Sequence, residues 1–384
     1  MTIKSKYLAI KVSKGLKYIV FATNIVFFIL FFISTKAPTV APSQYMFVAL
    51  LGMAYPILLF INIVYLIIWI IFLQWKYILL LLVGFAFCWD SIATYIPFNS
   101  PTPHADIPHG CIKFMSYNVR GFNWITGDSA RNNPILKYIA GSGADIVCLQ
   151  EFAVEEKKKR KSLISLGEFD DIMEQYPYRT IVRLGDTDDS VIYGLACYSK
   201  YPIMRLARVP IENSYFNGSA MYEIKVGYKR VTIVNNHLES NHITAEDKEL
   251  YKELVVDRNR QKIDEMAYRV QQRLAPAFIK REEQANTITA AIETQLSKTN
   301  AIIICGDFND PPMSYAYHKI RGKYADSFKE TGKGPGITYH ENGFYFRIDY
   351  IIHTRNIRSY NCYVDDVDYS DHYPIYSYLL LDYI

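Results

Sequence analysis

The pattern of hydrophobic and polar positions divides the chain into two parts. Residues 1–98 contain three long apolar segments, whereas residues 111–384 contain short apolar runs separated by polar stretches. Between them, residues 99–110 are rich in proline, which predicts a linker. We therefore expect an N-terminal hydrophobic region followed by a globular domain.

The three apolar segments predict a transmembrane region, because a spanning helix needs about 20 mostly apolar residues. They cover about residues 18–34, 45–73 and 77–98 and have almost no polar face. The second is long enough to tilt, or to kink at Pro56. A signal peptide is the alternative for the first segment, but the two segments that follow make a multi-pass anchor simpler.

The lysines predict the orientation of this anchor in the cytoplasmic membrane. Five of them (residues 4, 6, 11, 14 and 17) precede the first segment. Positive charge stays on the cytoplasmic side during insertion, so three spans place the C-terminal domain outside the cytoplasm. A re-entrant path at 45–73 would make the number of spans even and place the domain inside.

Charge and cysteine content narrow the possible functions. The chain carries +4, of which residues 1–104 carry +6, so residues 105–384 carry −2, whereas a domain that binds long duplexes usually has a basic surface. The six Cys include no CxxC pair, which argues against a zinc ribbon. Cys148 and Cys305 lie in apolar runs and are expected to be buried free thiols.

Short runs that are apolar, or that alternate with period two, predict a layered α/β domain. Eight strands are expected, at 112–117, 145–149, 191–198, 220–226, 231–235, 301–305, 347–353 and 375–381. Helices are expected at 130–140 and from 244 to about 296, the second one amphipathic and broken near Pro276.

Polar side chains follow several of these strands, and a single one would usually be a cap or turn residue. Here the set is larger and consists of carboxylates, amides and imidazoles: Asn118, Glu151, His237, Asp307, Asn309, Asp349, Asp371 and His372. Hard cations such as Mg²⁺ take oxygen ligands. A His–Asp pair can activate water, and imidazole or amide donors can stabilise charge on phosphate oxygens. The pattern favours metal-assisted attack on a phosphorus ester.

Seven stretches, in this order and spacing, resemble the endonuclease/exonuclease/phosphatase superfamily, the deoxyribonuclease-I-like fold, over nearly all of residues 111–384. They are MSYNVRGF (115–122), DIVCLQEF (145–152), YGLACYSKYPI (193–203), VNNHLES (234–240), ICGDFNDPP (304–312), FRIDYIIH (346–353) and SDHYPI (370–375). The resemblance implies a two-sheet α/β sandwich with its site where strand ends converge. In this chain the predicted three-helix transmembrane anchor precedes the sandwich, so we expect a membrane-anchored bacterial type of the family.

The resemblance also implies the cofactor and its ligands. Asn118, Glu151 and Asp371 match the family's metal-binding or metal-proximal positions, and Mg²⁺, with Mn²⁺ as a substitute, is the expected ion. Arg120 stands where some nucleases have an acid, so a second ligand role at that position is in doubt.

The catalytic roles follow from the same resemblance. His237 matches the histidine that contacts the scissile phosphate, and Asn309 matches a transition-state ligand. Asp349 matches the acid that orients His372. Asp307 and His372 both match residues that activate water, and the sequence leaves open which of them is the base.

The resemblance implies a divalent-metal-dependent phosphoester hydrolase, with nucleic acid and lipid or small phosphoester substrates left open. Abasic-site endonucleases typically carry Tyr-x-Pro-Asn where this chain has residues 235–238, NNHL, which disfavours DNA repair. The alternatives are a catalytically inert, membrane-tethered binding module and a transporter, and the spans carry no paired charges for the latter. The expected partners are the substrate and the lipid bilayer, and no protein partner is predicted.

Overall fold

The structure is a computed structural model that describes residues 14–157, 163–185, 190–212, 214–241, 260–296, 301–341 and 343–381. Its N-terminal region consists of helices α1 (Lys14–Ser34), α2 (Met46–Met53), α3 (Tyr55–Ile71), α4 (Trp75–Phe87) and α5 (Trp89–Tyr95). Lysines 4, 6 and 11, which contribute to the predicted orientation, lie outside the described residues.

Among the described helices, one stretch is by itself long and apolar enough to cross a membrane, at Gly15–Thr39. The pairs α2–α3 and α4–α5 reach that length only together, and they are bent by 63° and 69°. By length and composition the region therefore has one candidate span, or up to three if each bent pair is one span.

Each bend divides one of the predicted apolar segments into two helices. The first lies at Ala54, before Pro56, which takes the second position of α3, where the backbone N–H has no partner within the helix anyway. The segment expected at 77–98 is broken at Cys88. Beyond this break α5 contacts the C-terminal domain, since Asp90 Oδ1 lies 2.7 Å from Lys329 Nζ.

The C-terminal domain contains two mixed sheets, each with six strands among the described residues, in the order β11-β12-β1-β2-β4-β3 and β5-β6-β7-β8-β10-β9. Their bounds are β1 (Ile112–Asn118), β2 (Ile146–Glu155), β3 (Tyr178–Arg183), β4 (Val191–Ser199), β5 (Ile203–Val209), β6 (Gly218–Val226), β7 (Lys229–His237), β8 (Ile302–Asp307), β9 (Ala325–Asp326), β10 (Asp349–His353), β11 (Arg358–Val364) and β12 (Ile375–Leu380). The expected two-sheet sandwich is confirmed, and the four strands not predicted, β3, β5, β9 and β11, are the four edge strands.

Both faces of each sheet are covered, which explains the continuous apolar runs in the central strands. One apolar core lies between the sheets and includes Phe114, Cys148, Tyr222 and Cys305. The outer faces pack against four helices, α6 (Pro134–Gly141), α7 (Leu166–Ile172), α8 (Arg260–Leu296) and α9 (Tyr315–Arg321). The short α10 (Ser327–Thr331) contributes Phe328 to the core between the sheets. All six Cys are free, and the expected burial of Cys148 and Cys305 is confirmed.

Two helix predictions are wrong in their bounds. The helix expected at 130–140 begins at Pro134, because the Asn133 side chain caps it by accepting a hydrogen bond from Ile135 N at 2.9 Å. Helix α8 continues through Pro276, where a break is predicted, and residues 244–259 of that prediction lie outside the described residues. Burial of neighbours such as Leu274 and Phe278 offsets the cost of about 3 kcal/mol for a proline in a helix.

The segment predicted as a linker lies against the C-terminal domain. Asn99 Nδ2 donates hydrogen bonds to the carbonyl oxygens of Lys329 and Gly332, at 2.9 and 2.8 Å. Thr102 and Asn361 bond to each other twice, each at 2.7 Å, through the Thr102 backbone and the Asn361 side chain. These bonds restrict how the N-terminal region and the domain can move relative to each other.

A close approach between β7 and β8 generates a prediction. Gly306 has φ +118°, and a Cβ there would overlap the backbone oxygen of Asn236. Gly306→Ala should therefore lower the free energy of unfolding by about 3 kcal/mol. Gly141→Ala is the control, because its Cβ meets nothing within 4 Å, and stability should stay equal or rise by up to about 1 kcal/mol. Equal urea-unfolding midpoints for the two variants would contradict this account.

Candidate active site

The predicted site residues converge at one end of the sandwich. Strands β1 and β2 run parallel in one sheet, and β7 and β8 run parallel in the other, so Asn118, His237 and Asp307 end their strands on the same side. Strand β10 is antiparallel to β8, so its first residue, Asp349, pairs with Asp307. The loop before β12 adds Asp371 and His372.

Glu151 reaches the site through a β-bulge. The pairing of β2 with β4 shifts between Leu149 and Phe152, and Glu151 has φ +51°. A bulge redirects a side chain without ending the strand, so β2 continues to Glu155, beyond the strand end predicted at Leu149. Next to it, Gln150 Nε2 donates to Asn235 Oδ1 at 2.6 Å, which fixes the bulge against the second sheet.

Asn118 joins the two sheets at the site. Its Nδ2 donates hydrogen bonds to Glu151 Oε1 and to Asp307 Oδ2, both at 3.0 Å. Its Oδ1 accepts a hydrogen bond from the backbone N of Arg120 at 3.0 Å. The amide therefore holds two carboxylates in place from a buried position, since Asn118 is 1% exposed.

His372 is buried between two carboxylates. Its Nδ1 lies 2.8 Å from Asp349 Oδ2, and its Nε2 lies 3.6 Å from Asp307 Oδ2. Burial lowers the pKa of His372, but Asp349 and Asp307 outweigh it and raise this pKa well above its ordinary value. Because Asp349 holds Nδ1, Nε2 is the ring atom that can exchange a proton with the cavity.

Asp307 is the centre of this network. Besides Asn118, it accepts hydrogen bonds from the Asn309 backbone N at 2.8 Å and from Asn309 Nδ2 at 3.3 Å. Burial and the nearby Asp349 nevertheless raise the pKa of Asp307 to about 6, while His372, His237 and the Asn118 hydrogen bond act to lower it. The carboxylate is thus close to the range in which it can accept and release protons at neutral pH.

His237 and Asn309 complete the polar lining of the site. His237 Nε2 lies 3.5 Å from Glu151 Oε1 and 3.9 Å from Asp307 Oδ2. Its buried Nδ1 has no hydrogen-bond partner among the residues that the structure describes. Asn309 has φ +52°, and its Nδ2 also donates to the Leu238 carbonyl oxygen at 3.0 Å.

Asp371 is paired with a cation at the edge of the site. Its Oδ2 lies 3.6 Å from Arg120 Nε, and Arg120 Nη2 lies 3.0 Å from Glu341 Oε1. Residue 120 therefore supplies a positive charge between two acids and provides no ligand for a metal ion.

The site residues line a cavity of about 180 Å³. Its polar lining consists of five of the predicted residues, Glu151, Asp307, Asn309, Asp371 and His372, together with Ser240 and Asn241. The remaining lining is largely apolar and aromatic, and it includes Met53, Pro311, Tyr339, Phe344, Phe346 and Ile348. All eight predicted residues therefore lie in or around one site, and five of them face the cavity.

The chemistry of the donors fits a hard cation. Four carboxylates and two imidazoles lie close together, with Asp307 and Asp349 buried and Glu151 and Asp371 half-buried. Such an excess of negative charge is stabilised by a bound cation. Asp307, Asp349 and His372 offer ligand atoms that lie within 4.8 Å of one another. Asp349 and His372 are already bonded to each other, however, which suits them better to proton transfer, whereas Glu151 and Asp371 offer oxygens to the cavity.

Comparisons with known proteins address the family and the fold. The family model described as Endonuclease/Exonuclease/phosphatase family matches residues 115–372, and the model of a domain of unknown function matches residues 17–95. No curated protein matches the chain.

Solved structures similar to this chain include the human Nocturnin catalytic domain with bound sulfate anion, at 15% identity and a TM-score of 0.50, over 72% of this chain and 95% of that one. Endonuclease/exonuclease/phosphatase from Beutenbergia cavernae DSM 12333 has 15% identity and a TM-score of 0.49, over 71% and 72%. Truncated Caenorhabditis elegans TDP2 has 15% identity and a TM-score of 0.48, over 72% and 99%. At 15% identity, the match to the Nocturnin catalytic domain shows that the two chains share a fold.

Sequence reasoning missed a buried ion pair that holds the loop after Asp307. Arg281 on α8 is fully buried, and its Nη2 lies 2.9 Å from Asp310 Oδ1. Its Nη1 donates to the Glu239 carbonyl oxygen at 2.8 Å. Asp310 lies inside the stretch ICGDFNDPP, which is a usable signal, but nothing local distinguishes Arg281 from other arginines of a helix.

Removing one partner of this ion pair should destabilise the protein. Asp310→Ala leaves Arg281 buried and uncompensated, so the free energy of unfolding should fall by about 3–5 kcal/mol. The control is Glu223→Ala, which removes an exposed pair with Arg230 (N–O distance 2.9 Å) and should cost about 0–1 kcal/mol. Urea unfolding of both variants measures the difference, and similar losses would show that the buried pair has no special role.

Proposed function

Because the chain belongs to the endonuclease/exonuclease/phosphatase family, we propose that it is a divalent-metal-dependent hydrolase of phosphoester bonds, with residues 111–384 as the catalytic domain. The observation that carries the proposal is the convergence of Asp307, Asp349 and His372 with the oxygens of Glu151 and Asp371 around one cavity. A catalytically inert binding module has no need for this set of buried, mutually repelling groups, whose assembly costs stability.

We infer that Glu151, Asp371 and Asn118 hold Mg²⁺, with Mn²⁺ as a substitute. Carboxylate and amide oxygens are the ligands that such ions prefer. When bound, the ion offsets the charge of a phosphate group and helps to orient it. The 3.0 Å bond from Asn118 to Glu151 keeps two of these side chains together.

We infer that Asp307 and His372 act as one proton-transfer unit. Asp349 fixes the ring of His372 through Nδ1, so that Nε2 faces Asp307 at 3.6 Å. A proton taken from the attacking water can be held by either group and passed to the leaving oxygen. This assignment explains why both residues are expected to be essential, whichever of them accepts the proton first.

His237 and Asn309 are proposed to bind the scissile phosphate. His237 Nε2 lies 3.5 Å from Glu151 Oε1, and Asn309 Nδ2 lies 3.3 Å from Asp307 Oδ2. Fixed donors of this kind stabilise charge that develops on phosphate oxygens in the transition state.

We also propose that residues 1–98 form a three-span anchor (18–34, 45–73 and 77–98) and that residues 99–110 connect it to an extracytoplasmic catalytic domain. This number counts each of the bent pairs α2–α3 and α4–α5 as one span. Helices α1 and α3 are joined by a buried hydrogen bond from Trp69 Nε1 to Asn24 Oδ1 at 3.0 Å, a type of contact that stabilises helix pairs in membranes.

The catalytic assignment predicts the effect of single substitutions. His372→Ala and Asp307→Ala should each lower turnover of a chromogenic phosphodiester by about 10²-fold or more, because each removes part of the proton-transfer unit. Asp349→Asn should lower turnover less, since it only weakens the orientation of His372. The exposed His109→Ala is the matched control and should have normal turnover.

These assays are made with the full chain, with Mg²⁺ and with excess chelator. Chelation should abolish hydrolysis, and added Mn²⁺ should restore it. Full activity in chelator would remove the metal from the mechanism, and normal turnover in His372→Ala or Asp307→Ala would remove that residue.

The proposed topology predicts the location of the C-terminus. Fusion of alkaline phosphatase to Ile384 should give an active reporter, while a fluorescent protein that matures only in the cytoplasm should stay dark at the same position. Bright fluorescence without phosphatase activity would mean an even number of spans and an enzyme inside the cell.

A further inference from the structure

The N-terminal region supplies part of the wall of the active-site cavity. Met53, the last residue of α2, lines the same cavity as Glu151, Asp307 and His372. It faces this cavity together with Phe344 and Phe346, which are half-buried. The cavity is therefore lined both by the proposed catalytic groups and by apolar side chains that include one from the proposed membrane anchor.

The position of Met53 is fixed by close packing. A Cβ on the neighbouring Gly52 would overlap the backbone oxygen of Met313, so α2 touches the loop that follows the catalytic strand β8. Just before α2, Ser43 donates from its backbone N and from its hydroxyl to the two carboxylate oxygens of Glu282, at 2.9 and 2.8 Å. Ala49 packs against the side chains of α8.

Helix α2 is apolar along its whole length, with the sequence MFVALLGM. One side is buried against the C-terminal domain, while Phe47 and the preceding Tyr45 remain 59% and 64% exposed. A short apolar helix with exposed aromatic side chains, joined at a 63° bend to the apolar helix α3, has the features of the end of a span that emerges at the surface of a bilayer.

The size and charge of the site indicate the kind of molecule that it takes. A cavity of about 180 Å³ is smaller than the usual ligand pockets of roughly 300–1,000 Å³, so it has room for a phosphate group and only the adjoining part of a substrate. Residues 105–384 carry a net −2, which gives no general attraction to a polyanion. The apolar part of the lining, which includes Met53, Phe344 and Phe346, instead favours a substrate with an apolar part beside its phosphate.

We propose that the substrate is a phospholipid of the membrane in which the chain is anchored, with its phosphate at the catalytic residues and the start of its acyl part against Met53, Phe344 and Phe346. This inference rests on the proposed function, because it assigns a substrate class to that same site. Water attacks the phosphorus, one P–O bond breaks, and the departing oxygen receives a proton, so the products are an alcohol and a phosphate ester.

The test uses the full chain with Mg²⁺ and three kinds of phosphodiester. They are vesicles of phosphatidylethanolamine and phosphatidylglycerol, monomeric dihexanoyl analogues with the same two headgroups, and a single-stranded oligodeoxynucleotide. We expect the vesicle lipids to be hydrolysed fastest. Only they present the phosphate beside long apolar chains at the surface of a bilayer, where α2 is expected to lie.

Met53→Asn isolates the contribution of the anchor. The ratio of turnover on vesicle lipids to turnover on the chromogenic phosphodiester, which has no acyl part, should fall about tenfold, which is the scale for losing an apolar contact in a binding pocket. Phe344→Asn should lower the same ratio. Met204→Asn is the matched control, because Met204 is 54% exposed on β5, far along the chain from the site, and its ratio should not change.

The outcomes separate this inference from the proposed function. Hydrolysis of the oligonucleotide without hydrolysis of either lipid form would keep a phosphoesterase and overturn the phospholipid assignment. Equal ratios for wild type, Met53→Asn and Phe344→Asn would show that the apolar wall does not bind substrate, and would also overturn it. No hydrolysis of any of the three substrates would contradict the proposed function, and this inference with it.

Discussion

The repulsion among the carboxylates at the strand ends is the constraint on which the rest of the site depends. Asp307 and Asp349 pair across neighbouring strands, and both are 1% exposed. Such a pair is stable only if nearby groups offset its charge. His372 does so between the two acids, and Asn118 donates to Asp307 from the other sheet. A cation at Glu151 and Asp371 completes this compensation in our account, so that folding and catalysis use the same charges.

Backbone geometry supplies what this cluster needs. The bulge at Glu151 turns a side chain of a central strand into the site, and Gly306 allows β7 and β8 to approach closely beside Asp307. The loop that follows Asp307 is held on one side by the ion pair of Arg281 with Asp310, and on the other by packing of Met313 in the apolar cluster of the N-terminal helices. The N-terminal region thus helps to hold the loop that follows Asp307 in place.

Local patterns predicted the parts of the structure that depend on local chemistry. The eight central strands are apolar runs or alternate with period two, whereas the edge strands lack this signal. In β5 six of seven residues are exposed or half-buried, and β9 has only two residues. The eight site residues were found because each lies at or near the end of a predicted strand in a recognisable stretch. Met53 and Arg281 were not, since their roles come from contacts between segments that are distant in sequence. Helix α8 continues through Pro276, which shows that tertiary packing outweighs the local tendency of proline to break a helix.

The most direct test of the central claim is to locate the metal ion in crystals of the full chain grown with Mn²⁺, using anomalous diffraction. Our account predicts a single strong peak within bonding distance of the carboxylates of Glu151 and Asp371, about 2.0–2.3 Å from their oxygens. It also predicts that the bond between Asp349 and His372 persists. A peak between Asp349 and His372 with that bond broken, or no peak at the carboxylate cluster, would contradict it.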